Sequence, residues 1–523
     1  MKSSDKFLRG AMILTIAGLL VKVIGSVNRI LLSRLLGGEG IGLYQMAYPV
    51  YLLLLSISAA GIPVAISIIV AEYLAQRDYA NVRQVFRVSL RLMAVVGLVL
   101  AAALVMAAGW LVENGVIKDA RAYYALLALT PAIFFATILA SFRGYFQGHQ
   151  LMTPPAVSQI VEQFIRVVTM VVLAYVLLPY GLEFAAAGAA FGAVPGSLTG
   201  LVVLGGFYRY YKKQWRDEEC ALPGAQLTPA RRLIKRLLLL ALPVSCANVI
   251  VPVTSSIDVL LVPKYLLAAG FSVKEATTQF GYLAGMAQPL LLMATIPTMS
   301  LATSLVPAVS EAMALKRWSL IEEKLATAMK LCCLITVPAA VGMSALAGPI
   351  SRLLYGTGEA AAAIMHSGPA TWFLGLQQVT TGMLQGMGHT NLPMLHMLAG
   401  IVAKLIAVCQ LTNAEYGIAG AAWATNINFG VTAALNILAL QYFKIKFHWL
   451  SICKIIFAAL IMGAAAQALH GLLAGFNYTL ATLAALAGAS VVYAALLPLL
   501  RIISVAELKQ LPLVKKLVQK LRK

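Results

Sequence analysis

Gly18, Lys22, Gly25 and Arg29 share one narrow stripe if the segment around them is helical, at roughly 100° per residue, while the other faces are mostly Leu, Ile and Val. Two cations interleaved with two glycines suit an anion: ammonium and guanidinium groups pair with phosphate oxygens, and glycines leave that face open for a ligand or a close helix. A Lys or Arg turned to lipid at a bilayer centre costs about 2.5–3.5 kcal/mol, so the pair points to a protein interior or a water-filled cavity. The competing reading is that Lys22 and Arg29, only about 10.5 Å apart along the axis, snorkel toward opposite membrane surfaces.

Further along, Glu162 and Arg166 stand four residues apart and can pair on one helix face. They are expected either to line a cavity or to form a structural pair near the cytoplasmic end, and Glu162 is also a candidate for gating or ion coupling. Lys404 occupies the matching position in the second half and is read as cavity-lining. Arg143, near the inner end of its helix, is expected to meet lipid phosphate or helix-terminal carbonyls, or to take part in gating. Asp258 is the one carboxylate well inside its span, with Lys264 six residues on, and is a candidate for gating, for ion coupling or as partner to a cavity arginine. Asn426 and Asn428 could add oxygen ligands. Glu72 and Glu311 lie next to basic turns and suit salt bridges on the cytoplasmic side. The set carries more cations than carboxylates, which repels a cationic drug and holds a lipid-linked phosphate or diphosphate, its tail left in the bilayer.

The elements that must position these residues are helices in a membrane. Of 523 residues, 61% are hydrophobic and 11% charged, and mean hydropathy is +0.86, a composition foreign to a soluble multidomain protein. Apolar stretches of spanning length fall near 10–35, 44–75, 86–111, 122–148, 155–178, 184–210, 235–264, 278–313, 325–347, 361–386, 392–411, 417–443, 450–470 and 478–503. The fold expected is therefore an all-α polytopic membrane protein of about 14 transmembrane helices. The net charge of +21 sits in short flanking loops and in both ends of the chain, so topology and anionic lipid account for it better than nucleic acid does. The positive-inside rule then puts both termini in the cytoplasm, with the first apolar segment a retained helix. Prolines 49, 63, 289, 297 and 307 should bend or locally unwind the second and eighth helices.

No Walker loop, dinucleotide fingerprint, zinc-protease motif or nucleophile elbow is present, so bond-making chemistry, a metal and a cofactor are not expected. The six cysteines lack ligand spacing and are read as packing residues.

An internal repeat organises the chain. GYFQG at 144–148, then Pro155 and Arg166, recurs 238 residues later as GMLQG at 382–386, Pro393 and Lys404. AYP at 47–49 with Glu72 resembles AQP at 287–289 with Glu311, and GAAF at 188–191 with Lys212 resembles GAAW at 420–423 with Lys444. Two pseudo-symmetric six-helix lobes follow, 1–222 and 223–446, with two C-terminal helices over 447–505 and a basic amphipathic tail over 506–523. A central cavity between the lobes is the default binding site.

The stretches GEGIGLYQMAYPVY (38–51), GIPVAISIIVAE (61–72), FRGYFQGHQLMTPPAVSQIVEQFIRV (142–167) and LVPAVSEAMA (305–314) resemble the stage V sporulation protein B and polysaccharide-biosynthesis membrane proteins of Gram-positive bacteria. These belong to the superfamily of multidrug, oligosaccharidyl-lipid and polysaccharide exporters and are similar to MurJ-type lipid II flippases. The resemblance implies a bacterial cell-membrane transporter working by alternating access, with an undecaprenyl-diphosphate-linked cell-wall precursor such as lipid II as partner. Lys22 lines up with the family's basic residue on helix 1, and Asn28 or Arg29 stands near its second cation. With Arg166 and Lys404 from the matching positions of the repeat, the expected substrate-binding set is Lys22, Asn28, Arg29, Arg166 and Lys404. Helix 2 departs from the pattern: Tyr48, Tyr51 and other uncharged residues stand where relatives carry a basic one. Relatives with a sodium site use carboxylates on helices 7 and 11; Asp258 matches the first and nothing matches the second. Membrane potential, proton or sodium all stay open as the coupling force. Alternatives are an exporter of capsule- or teichoic-type lipid-linked oligosaccharides, a cation-coupled multidrug antiporter, and a non-transporting scaffold for cell-wall synthases. A monomer, in vegetative growth or sporulation, is expected.

Overall fold

A computed structural model describes residues 3–59, 61–218, 227–445, 447, 449–475 and 477–502, so Cys220 and the expected tail at 506–523 lie outside the described residues. Within them the chain is helical, with no strand. Among the described residues the apolar stretches anticipated above fall mostly on helix, with breaks such as those at Gly61 and Thr295 inside two of them, and 122–148 coincides with one helix end to end. Among the described residues nine helices are long and apolar enough to cross a membrane, or ten if one bent pair, Val273–Ala294 with Ile296–Ala314, counts as a single span.

The chain divides by packing into two compact units, Met1–Met286 and Ala287–Lys523. The repeat divides it by sequence equivalence instead, at residue 222. In the first unit, α1 (Ser3–Ala59) holds the first apolar stretch and the first half of the second in one run, broken only at Gly37, where φ is 67° and ψ is −173°. Only glycine visits that backbone region readily. Pro49 sits inside the second arm without interrupting it, and the next break comes ahead of α2 (Ile62–Ala75), which carries Pro63 in its first turn. There the proline's missing N–H costs nothing, because first-turn amides have no helical partner. The unit continues with α3 (Tyr79–Glu113), α4 (Ala122–Gly148), α5 (Thr153–Leu177), α6 (Leu182–Phe191), α7 (Ala193–Glu218), α8 (Ala230–Ala268) and α9 (Val273–Gly281).

Part of the polar segment before α8, expected to be a linker, is pinned. The Thr228 amide donates to the Asn81 side chain at 2.8 Å, its carbonyl accepts from Gln84 at 2.8 Å, and its hydroxyl meets Tyr73 at 2.9 Å. Gly61 then admits α8 closely, since a Cβ there would fall 2.1 Å from the Ala241 carbonyl oxygen. These contacts place α8 in the first unit.

The second unit comprises α10 (Gln288–Ala294), α11 (Ile296–Ala314), α12 (Trp318–Ala345), α13 (Ala347–Tyr355), α14 (Ala361–Gly386), α15 (Asn391–Leu411), α16 (Gly417–Tyr442), α17 (Trp449–Leu473) and α18 (Tyr478–Leu499). Its largest apolar core joins α11, α12, α14, α16 and α17, and buries Cys332 and Cys333. Cys409 and Cys453 are exposed, so the packing role expected of the cysteines holds for the adjacent pair and not for these two.

The repeat has a packing basis in each unit. A Cβ on Gly144 of α4 would lie 2.7 Å from the Pro63 carbonyl oxygen, and one on Gly148 would lie 2.6 Å from Val70. In the second unit a Cβ on Gly382 of α14 would lie 2.7 Å from the Ala302 carbonyl oxygen, and one on Gly386 would lie 2.7 Å from Val309. Glycines four apart let two backbones touch where burial against lipid supplies little drive between helices. The GxxxG pairs thus seat α4 on α2 and α14 on α11 in the same way.

Candidate functional site

Three charged side chains converge inside the first unit. Arg143 of α4 donates through Nη2 to Glu162 Oε2 at 2.6 Å, and Arg166, one turn along α5 from Glu162, donates through Nη2 to Oε1 at 2.7 Å. One carboxylate therefore serves two guanidiniums, and the cluster carries a net charge of +1. All three side chains are largely buried, at 20%, 13% and 16% exposure for Arg143, Glu162 and Arg166. The α4–α5 packing brings Arg143 within reach of Glu162, an ion pair that the sequence reading did not include. Glycines make the site reachable from α7 as well: a Cβ on Gly196 would stand 3.0 Å from the Glu162 carbonyl oxygen, and one on Gly200 would stand 3.3 Å from the Glu162 Cβ.

The three residues line a cavity of about 340 Å³ whose remaining wall is mostly apolar, with Tyr51, Leu52, Leu55 and Pro63 among its residues. That is the size of a small-molecule site, roughly 300–1,000 Å³. Buried polar atoms without hydrogen-bond partners include Nε of Arg143 and Nε of Arg166. Guanidinium carries five N–H donors, so each arginine has capacity beyond its bond to Glu162.

Tyr44, Tyr48 and Tyr51 form a ladder on the second arm of α1, with ring centroids 5.3 Å and then 5.9 Å apart. Tyr51 is 1% exposed and lies beside Arg166, while Tyr44 feels the charges of both Arg166 and Arg29. The helix 2 positions where the resemblance calls for a basic residue thus face a cation supplied by α5. Sequence reasoning named Tyr48 and Tyr51 only as a departure from a pattern. Their spacing, with Tyr44, at i, i+4 and i+7 was the available sign of a shared face.

The remaining candidates are dispersed. Asn28 is buried against α5, its amide donating to Met170 Sδ at 3.3 Å, and Gly25 on the same side faces Gln163. Arg29 is half-buried and Lys22 exposed. The exposed apolar positions Ile16, Leu20, Val23, Val27 and Leu31 lie on roughly the opposite side of the helix from these two cations. Asp258 is buried in α8, and Lys404 is buried in α15 of the second unit at 1% exposure. Asn426 donates to the His366 carbonyl at 2.8 Å and Asn428 is buried in α16. Glu72 pairs with Arg236 of α8, in keeping with the salt-bridge role expected of it.

A second polar cluster lies where α3 hands over to α4. Arg121 bonds to Asp119 at 2.7 Å and Glu39 at 2.6 Å, and the Thr277 hydroxyl of α9 donates to Asp119 at 2.8 Å. Burial works against ionisation of Asp119, yet the bonds from Arg121 and Thr277 outweigh it and hold the carboxyl below its ordinary range.

Residues 7–271, half of the chain, match the polysaccharide biosynthesis protein family, and residues 283–408 match MatE. The chain belongs to the polysaccharide biosynthesis protein family. A relative in this group, stage V sporulation protein B of Bacillus subtilis, is 32% identical over 99% of both chains. The lipid II flippase MurJ of the same organism is 27% identical over 77% of each. In fold, the chain is similar to a solved inward closed structure of lipid II flippase MurJ, with a TM-score of 0.69, 16% identity, and coverage of 93% of this chain and 98% of that one. This member of the polysaccharide biosynthesis family is a multi-pass membrane protein with the helical fold of that transporter class.

Proposed function

We propose that the protein is a flippase that moves lipid II, or a closely related undecaprenyl-diphosphate-linked cell-wall precursor, from the inner to the outer leaflet by alternating access. The observation that carries this reading is the net positive Arg143–Glu162–Arg166 cluster lining a cavity that Tyr51 also lines. Such a field attracts an anionic head group and repels the cations that a multidrug antiporter would carry. Apolar walls suit the first prenyl units of the carrier. The relatives named as a flippase and a sporulation protein support the same class. Membrane potential acts on a moving charge with about 2.3 kcal/mol per 100 mV, enough to drive a step of the cycle with both termini in the cytoplasm.

Export of capsule- or teichoic-type lipid-linked oligosaccharides is the second reading, favoured by the family match over residues 7–271. Both are tested by reconstituting the protein in liposomes and following labelled lipid II against a teichoic precursor. Lipid II is expected to cross and the other to lag. Movement of the teichoic precursor alone selects the second reading, and movement of neither leaves a scaffold for cell-wall synthases.

A further inference from the structure

Both arginines are tied to Glu162, yet neither spends all its donors there, and this arrangement defines how the site would work. Each gives one nitrogen to the carboxylate, at 2.6 and 2.7 Å, and each keeps a buried Nε without an acceptor. The Tyr51 hydroxyl, at the same cavity, donates to no acceptor. A single carboxylate thus under-fills a set of donors that two or more anionic oxygens would satisfy, and it leaves a net positive charge among largely buried side chains.

We propose that Glu162 is an exchangeable internal anion, which holds Arg143 and Arg166 in place until a phosphate or diphosphate group enters the cavity and takes them over. The inference rests on the flippase reading and adds the step by which the site releases its cargo. A diphosphate offers each guanidinium fork its own pair of oxygens, which one carboxylate shared by two arginines cannot do. When Glu162 reclaims the arginines, the diphosphate loses its partners and leaves. The internal carboxylate therefore lowers affinity and speeds release, separating tightness of binding from turnover.

Wild-type protein and Glu162→Gln, in lipid nanodiscs, are titrated with undecaprenyl diphosphate and with inorganic pyrophosphate, and lipid II movement is measured in liposomes. Glu162→Gln is expected to bind undecaprenyl diphosphate about tenfold more tightly, a change of about 1.4 kcal/mol, while moving lipid II more slowly. A gain for both probes assigns recognition to the diphosphate itself, and a gain for the lipid alone assigns it to diphosphate and tail together; either supports the exchange. Removing a partner from a buried pair endangers folding. Glu162→Asp, which keeps the charge but is too short to span both arginines, is therefore run beside it, with an intermediate gain of about threefold expected. If wild type binds and transports while neither variant binds more tightly, Glu162 is a brace and the exchange is wrong. If wild type neither binds the diphosphate nor moves any precursor, the flippase reading falls and the exchange falls with it.

Discussion

Arg121, in the connection that leads into α4, donates to Glu39 at 2.6 Å, tying that connection to α1 two residues beyond the break at Gly37. Asp119 completes the clasp by accepting from Arg121 at 2.7 Å and from Thr277 of α9 at 2.8 Å, so three segments distant in sequence share one ionic knot. Between α1 and α9 there is almost no slack: a Cβ on Gly42 would fall 2.2 Å from the Thr277 carbonyl oxygen.

The clasp should be acid-sensitive. The Asp119 carboxyl is held below its ordinary range, so its contribution to stability is present above the unfolded-state value, about pH 4, and is lost as pH falls through the lower folded value. Asp119→Asn should remove the ionic part at every pH and cost about 1–3 kcal/mol. Amide hydrogen exchange over α9 reads both effects. Protection in wild type should fall once pH drops below about 4 and should be lowered already at neutral pH in the variant. Equal protection of α9 in the two proteins at pH 7 would show that the glycine contacts alone hold it.

The two helix 1 cations should not weigh equally in transport. Arg29 is half-buried and its charge reaches Tyr44, which also feels Arg166; Lys22 is exposed. Arg29→Ala is therefore expected to reduce lipid II movement in liposomes by about tenfold or more and Lys22→Ala by less, at matched protein levels. If both variants move lipid II as fast as wild type, the helix 1 stripe has no part in the site.

Arg166 tests the geometry of the site as distinct from its charge. A lysine keeps the charge but loses the fork that bonds Glu162 while leaving N–H groups for a ligand. Arg166→Lys should fold, retain part of the affinity for undecaprenyl diphosphate, and lose about tenfold in lipid II movement. Wild-type transport by Arg166→Lys would mean that a point charge suffices.

Much of the helix pattern was legible from the sequence because apolar length and the turn residues between stretches are local properties. The repeat was legible for the same reason, since GYFQG and GMLQG bring α2 and α11 against their partners through glycines that no larger residue can replace. The ion pair of Arg143 was not foreseen, because its partner comes from another helix and nothing in residues 139–147 reports the α4–α5 register. The part played by Tyr44 and Tyr51 was hidden likewise: a tyrosine on an apolar helix is unremarkable until Arg166 is found beside it. Gly196 and Gly200 on α7 carried a readable GxxxG spacing, and their purpose emerged only with Glu162 in contact. Grouping of α8 with the first unit depends on Thr228 and Gly61, two residues whose types announce a turn and say nothing of the helix they receive.

Substituting Gly37 separates backbone strain from crowding, because no heavy atom lies within 4 Å of the position a Cβ would take there. Its φ of 67° with ψ of −173° is essentially reserved for glycine, so Gly37→Ala should cost about 1–3 kcal/mol through the backbone alone. Gly18 is the control: it too has nothing within 4 Å, but its φ is not positive, so Gly18→Ala should be neutral or slightly stabilising. The functional effect should exceed the loss of stability, since the Gly37 break sets the course of the arm that carries Tyr44 toward Arg29 and Arg166. Thermal melting and undecaprenyl diphosphate titration on the same preparations test this. Gly37→Ala should melt lower and bind more weakly, and Gly18→Ala should melt no lower than wild type. A Gly37→Ala protein that melts and binds as wild type does would mean that the arms of α1 reach their positions without the glycine, and that the tyrosine ladder is oriented by its contacts with α5.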